Sequence, residues 1–382
     1  MKPTELGETF GLTRDNFILD PLEDHDCFAR DDIRTHEIAE SLDVDVVTGL
    51  APKRLVWGPY GAGKTHALMR TVAELGQLTD IVAHRIECPD LAKKSRFHDL
   101  YREGIMRGLG QDFVLTLLED VVHRVGFKRP NELRTELKQW FGDEEIAKAV
   151  EQLYNPQFDR LKLWRWFSGV AMSRMDLDAL GQTQDLTQRE AARLAEILIM
   201  LGRLLRRLRG QTLVLILDEM ERLHAISVET MTTFMSGLSK LVDPNQTSVS
   251  ILIGASAALE SEMVDVFSGQ SPVISRLGAD GRIEIPAIPD PDVDRFISGV
   301  IAYLRDPGFD LAGAVASAKK ATGETVKDEF FPLTVEAVEA VKSRLQILTP
   351  REITMQMTRA LGRAHRKSLG VIASDCIAQG VS

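Results

Sequence analysis

The chain has 382 residues, 44% hydrophobic and 27% charged, a balance typical of a globular protein with length enough for two domains and a sizeable core. Its formal net charge of −10 argues against wholesale nonspecific attraction to nucleic acid, so any contact with DNA has to be a local patch. No apolar run approaches the roughly 20 residues that cross a bilayer, MKPTELGETF lacks an apolar signal core, and three scattered cysteines suggest neither a disulfide framework nor a metal site, so a cytoplasmic protein without membrane contact is expected.

Residues 1–50 carry a turn at Asp20-Pro21 and then CFARDDIRTHEIAESL, which reads as a capped amphipathic helix starting near Asp31. The next stretch, RLVWGPYGAGKTHA from Arg54 to Ala67, is an apolar strand, a glycine-rich turn and the opening of a helix. It matches G-x-x-x-x-G-K-[ST] at every fixed position through Gly58, Pro59, Tyr60, Gly61, Ala62, Gly63, Lys64 and Thr65, with His66 next in the helix. Glycines at 58, 61 and 63 let successive backbone N–H groups point at phosphate oxygens, and the helix N-terminus adds positive potential. Lys64 is placed to reach the β- and γ-phosphates of ATP, and the Thr65 hydroxyl to ligate Mg2+.

The helix from Thr65 to Leu75 ends at Gly76, and Ile81 to Ile86 reads as a second strand. Roughly 120 residues with almost no strand signal follow. Helical patterns cover Phe97 to Val125, Asn131 to Phe141, Glu144 to Tyr154, Phe158 to Leu177 and Thr187 to Leu208, a helical insertion over 89–211. At Thr212 a buried strand, LVLIL, returns and runs directly into Asp218 and Glu219. Asp218 at the carboxyl end of a central strand is suited to hold Mg2+, and Glu219 to polarise water for in-line attack. A helix from Val228 to Leu241 and strands at Val249–Ile253 and Arg282–Ile285 follow, until Pro286, Pro289 and Pro291 mark a boundary. Helices at Asp292–Leu304, Thr334–Leu345 and Pro350–Leu369 complete the chain. The expected organisation is an entry segment (1–50), an α/β nucleotide-binding core (51–288) and a helical lid (289–382).

With these motifs the chain resembles the AAA+ ATPases, particularly the branch of origin-recognition, ExeA-like and transposition-regulator ATPases, over most of its length except the insertion. The resemblance implies a P-loop NTPase parallel sheet sandwiched by helices. CFARDDI is similar to a box that lines the adenine pocket in this branch, which implies Phe28, Arg30 and Asp31 beside the base. ILIGASAALE stands where the family places a polar γ-phosphate sensor, with Ser256 the nearest candidate. VISRLGADGRIEI looks like the box carrying an arginine finger; Arg276 would then reach the nucleotide of a neighbouring subunit, implying a homo-oligomeric ring or filament, with Arg282 as the weaker alternative. LTPREITMQMTRAL resembles the sensor-2 helix of the lid, which implies that Arg351 contacts the nucleotide.

Three basic clusters remain: RLKLWRWF (Arg160, Lys162, Arg165), GRLLRRLRG (Arg203, Arg206, Arg207, Arg209) and RALGRAHRK (Arg359, Arg363, Arg366, Lys367). Such runs grip phosphate or form the solvated faces of amphipathic helices. The leading expectation is an oligomeric ATPase that remodels or marks duplex DNA, as relatives in transposition, replication and phage defence do. The chain ends soon after the lid, too soon for a winged-helix domain, which favours DNA contact through the core or through a partner. The alternative is an ATP-controlled switch or scaffold that acts on a partner protein docked on the insertion.

Overall fold

A computed structural model of the chain describes residues 5–27, 33–126, 129–267, 272–277 and 281–377. After a helix over Ile33–Val47 the chain runs β1 (Lys53–Gly58), α1 (Lys64–Leu75), β2 (Ile81–Glu87), α2 (Gln111–Val125), α3 (Ala191–Arg209), β3 (Thr212–Asp218), α4 (Val228–Leu241), β4 (Val249–Ser256), β5 (Arg282–Glu284), α5 (Val293–Leu304) and α6 (Pro350–Arg366), with further helices between. Contacts divide it into two compact units, Glu37–Trp57 with Thr71–Ile283, and Met1–His36 with Gly58–Arg70 and Glu284–Ser382.

The sheet is five-stranded in the order β2-β3-β4-β1-β5, so the α/β class read from the sequence holds. β2, β3 and β4 are parallel, with Glu87 opposite Asp218 and Leu217 opposite Ile253, which brings their carboxyl ends level. β3 is buried at all seven positions, its middle five residues, LVLIL, being apolar on both faces.

The helices of the first unit share one apolar core with these strands rather than forming a separate body. Leu117, Leu118, Leu137, Trp166 and Phe167 lie in the same cluster as Leu215, Leu217 and Ile251. α3 is the main link. Its stripe Leu194, Ile197, Leu198, Leu201, Leu204 and Leu205 is buried, at about 1.5–3 kcal/mol for each such side chain. Gly202 lets the helix approach the entry of β4, since a Cβ there would lie 2.4 Å from the Ser248 carbonyl oxygen. Gly210, at φ +70, ends it.

Two predicted helices are broken. Phe97 to Val125 contains a π-helical stretch, Leu100–Met106, and is interrupted at Gly110, whose φ of +81 no continuing helix permits. Phe158 to Leu177 resolves into Arg160–Phe167 and Arg174–Ala179, parted by Gly169 at φ +74, where a Cβ would meet His98 at 2.9 Å. Both glycines act through positive φ, which apolar periodicity does not report.

In the second unit, α5, α6 and the helix Val335–Arg344 enclose Val300, Ile301, Val338, Met357 and Leu361, and the N-terminal segment packs into the same core through Phe10, Leu12 and Phe17. The Phe17 N–H donates to Thr358 Oγ1 at 2.9 Å, and Leu12 bridges Arg305 antiparallel. Phe10, Leu12 and Phe17 thus pack with the C-terminal helices, whereas Glu37–Trp57 falls in the other unit. A helix over Leu311–Thr322 lies between Leu304 and Thr334, where the sequence pattern assigns no element.

Candidate functional site

The glycine-rich loop leaves β1 at Gly58 and enters α1 at Lys64. A Cβ at Gly58 would lie 2.0 Å from the Ile285 carbonyl oxygen, so the backbone approach there admits no side chain. Gly61 and Gly63 have φ of +80 and +99, conformations that cost an L-residue roughly 1–2 kcal/mol. The Ala62 N–H closes a turn on Pro59 O at 3.1 Å, and Ala67 N–H opens the helical ladder on Gly63 O at 2.9 Å. The Lys64 ammonium is buried and donates to the Gly58 and Pro59 carbonyls at 3.0 and 2.9 Å, held inside the curl of the loop. Left-handed glycines, a helix N-terminus and an inward ammonium suit a polyphosphate. His66 follows in α1, and burial holds its imidazole below the usual pKa against the Cys27 backbone hydrogen bond and Asp24.

In the same unit, α6 begins against this loop. Thr349 caps it by accepting from the Glu352 N–H at 3.2 Å, and Pro350 occupies the first turn. The Arg351 N–H reaches the Gly61 carbonyl at 3.3 Å. Its guanidinium donates from Nη1 to the Tyr60 hydroxyl at 2.5 Å and lies 4.7 Å from the centroid of the Tyr60 ring. Arg351 and the glycine-rich loop are thus brought together, with Tyr60 as a partner that no motif indicated.

In the unit that carries β3, Asp218 is buried and Arg85 on β2 donates to its Oδ2 from Nη2 at 2.8 Å and Nε at 3.1 Å. The Glu219 N–H donates to Oδ1 at 2.9 Å. A carboxylate carries about four lone-pair sites, so Oδ1 retains capacity for a cation. Magnesium typically needs one or two protein carboxylates beside water and phosphate, and the donor set fits that demand. Glu219 has φ of +59, uncommon for a residue with a side chain, and starts the 3-10 turn Met220–Ala225. Its Oε2 pairs with Arg222, which also meets Glu87 at 3.1 Å and the Cys88 carbonyl. Burial pushes the Glu219 carboxyl above its usual range; Arg222 opposes the rise, and Glu87, Asp218 and Glu221 add to it. Arg85 and Arg222 escaped the sequence reading. The only available signal was a charged residue inside the strand pattern HRIE and another in MERLHA.

Ser256 ends β4, and its N–H donates to Glu221 Oε2 at 3.0 Å. Arg276 sits in the six-residue helix Pro272–Leu277, where its Nη1 donates to the Ser239 carbonyl near the end of α4 and its Nη2 lies 3.9 Å from Asp243. Arg282 pairs with Glu260 at 2.6 Å. Phe28, Arg30 and Asp31 lie outside the described residues.

Two of the basic clusters are internally partnered. Arg160 pairs with Glu119 at 2.7 Å and Lys162 with Asp176 at 3.0 Å. Arg209 donates to Asp120 at 3.0 Å, Arg206 to the Thr247 carbonyl at 3.0 Å, and Arg207 stacks 3.6 Å from the Trp140 ring centroid. Trp166 is fully buried and donates from its indole nitrogen to Gln184 O at 3.2 Å. Trp166→Ala is accordingly expected to destabilise the fold by about 3–5 kcal/mol, read by chemical denaturation; a change near zero would show that the ring is no core element. In the third cluster Lys367 pairs with Asp375 at 2.6 Å and Arg363 donates to Cys376 O at 2.8 Å, while Arg359 and Arg366 are exposed.

No protein-family model and no curated protein matches the chain. Among solved structures it is similar to a Drosophila ORC bound to DNA, at 12% identity and a TM-score of 0.46, over 91% of this chain and 59% of that one. It is similar also to the Aeropyrum pernix ORC1 protein in complex with DNA, at 14% and 0.44 over 95% and 65%, and to Cdc6p from Pyrobaculum aerophilum, at 13% and 0.46 over 92% and 69%. The chain spans less than two thirds of the length of the first two. Among the described residues, no helix is long and apolar enough to cross a membrane.

Proposed function

We propose that the chain is an AAA+ ATPase that binds ATP with Mg2+ at the loop Gly58–Thr65 and hydrolyses it. The observation that carries this reading is the loop itself: a motif matched at every fixed position, with left-handed Gly61 and Gly63 and a buried Lys64 turned onto the loop carbonyls. Lys64 would exchange those carbonyls for phosphate oxygens. Thr65 and Asp218 would hold the magnesium ion, which when bound offsets charge on the phosphates. Glu219 would accept a proton from water as its oxygen bonds to the γ-phosphorus and the bond to the β-phosphate oxygen breaks, giving ADP and inorganic phosphate. Residues 289–382 would respond to nucleotide through Arg351.

The same reading has the protein assemble, Arg276 serving a neighbour's nucleotide after leaving Ser239 and Asp243. A mixture of Arg276→Ala and Lys64→Ala subunits is then expected to hydrolyse ATP where neither variant alone does, because one supplies the finger and the other the loop; an inactive mixture would remove Arg276 from that role.

The proposed target is duplex DNA, remodelled or marked by the ATP-bound assembly. The internal pairing of two of the three basic clusters favours a second reading, in which the assembly acts on a partner protein. Steady-state hydrolysis with and without duplex DNA, at low and moderate salt, separates them. Stimulation that fades with salt supports the DNA reading, and indifference to DNA supports the protein partner.

A further inference from the structure

Tyr60 is the third residue of the loop motif and faces solvent, with two thirds of its surface, 67%, exposed. An aromatic ring there is an expense that phosphate binding does not explain, since the loop grips phosphate with backbone N–H groups and Lys64. Its ring and hydroxyl are both used, however, and by the same partner. The Arg351 guanidinium lies 4.7 Å from the ring centroid while Nη1 donates to Oη at 2.5 Å. The backbone contact from Arg351 N to Gly61 O, at 3.3 Å, ties the start of α6 to the loop without any help from Tyr60. Tyr60 therefore governs where the guanidinium points, not whether the helix meets the loop.

That direction matters. Lys64, the residue read as reaching the phosphates, is only 7% exposed, whereas Arg351 and Tyr60 are both exposed. The guanidinium is held at the solvent side of the loop, with Nη1 committed to a hydroxyl and a face committed to a ring. The Nε and Nη2 donors stay free there, but gripping a phosphate end-on, through Nη1 and Nη2 together, requires the guanidinium to leave the hydroxyl and the ring.

We propose that Tyr60 is a parking site for Arg351: nucleotide has to draw the guanidinium off Tyr60, and the competition lowers nucleotide affinity and hastens release. The proposal rests on the reading of Gly58–Thr65 as a nucleotide loop and adds a residue that tunes it. Tyr60 is a positioning residue, acting through Arg351 rather than on the nucleotide.

The test is equilibrium and stopped-flow binding of a fluorescent, non-hydrolysable N-methylanthraniloyl ATP analogue to the full chain with magnesium. Removing an exposed cation–π contact and a charge-assisted hydrogen bond together is expected to tighten binding about five- to twentyfold in Tyr60→Ala, chiefly through slower release. Tyr60→Phe, which keeps the ring and loses only the acceptor, is expected to tighten it about two- to fivefold. In an Arg351→Ala background Tyr60→Ala should change nothing, the coupling that a merely structural role of Tyr60 would not produce. Weaker or unchanged binding in Tyr60→Ala overturns the proposal, weaker binding showing instead that the tyrosine pre-orients the arginine. Failure of the underlying nucleotide reading looks different, because wild type itself would then not bind the analogue.

Discussion

Lys64→Ala is expected to weaken ATP binding about 10- to 100-fold, the loss that follows when a charge-assisted contact to phosphate disappears. The substitution removes an ammonium that is buried and turned onto the Gly58 and Pro59 carbonyls. It leaves Gly61 and Gly63 in their left-handed conformations, since those are set by the backbone. The loop should therefore keep its shape and lose its charge, so isothermal titration with ATP and magnesium reads the charge alone. Wild-type affinity in Lys64→Ala would detach the loop from nucleotide binding.

Glu219→Gln has the second large effect. Turnover is expected to fall about 10²- to 10⁴-fold, the usual contribution of a positioned general base, while ATP affinity stays close to wild type. The amide preserves the size of the side chain and can still accept from Arg222, so the 3-10 turn at Met220–Ala225 should persist. Single-turnover hydrolysis separates the two quantities. Unchanged turnover would transfer the role to another carboxylate, Glu221 being the neighbour, although its Oε2 already accepts from Ser256 N–H.

How much of the fold is legible in the sequence follows from how local each signal is. β3 was legible because five successive apolar residues and a terminal acid state both burial and an end point. The start of α6 was legible because Thr349, Pro350 and Glu352 are capping residues in sequence. The breaks at Gly110 and Gly169 were not, because an isolated glycine in a helical pattern is tolerated as often as it interrupts. The partners of the site residues were hidden for a different reason. Arg85 meets Asp218 across 133 positions and Tyr60 meets Arg351 across 291, and pairings of that span depend on register and packing that no local pattern encodes. The arginine clusters were ambiguous in sequence because a solvated helical face and a phosphate grip use the same residues. Asp120, Glu119 and Asp176 resolve two of them as internally paired.

The central claim is that this loop turns over ATP. The most direct measurement is phosphate release from ATP by the purified full chain with magnesium, set beside Lys64→Ala prepared identically. Turnover that depends on magnesium is expected in the wild type and none above background in Lys64→Ala. Equal rates in the two proteins, or no turnover and no ATP binding in either, would contradict it.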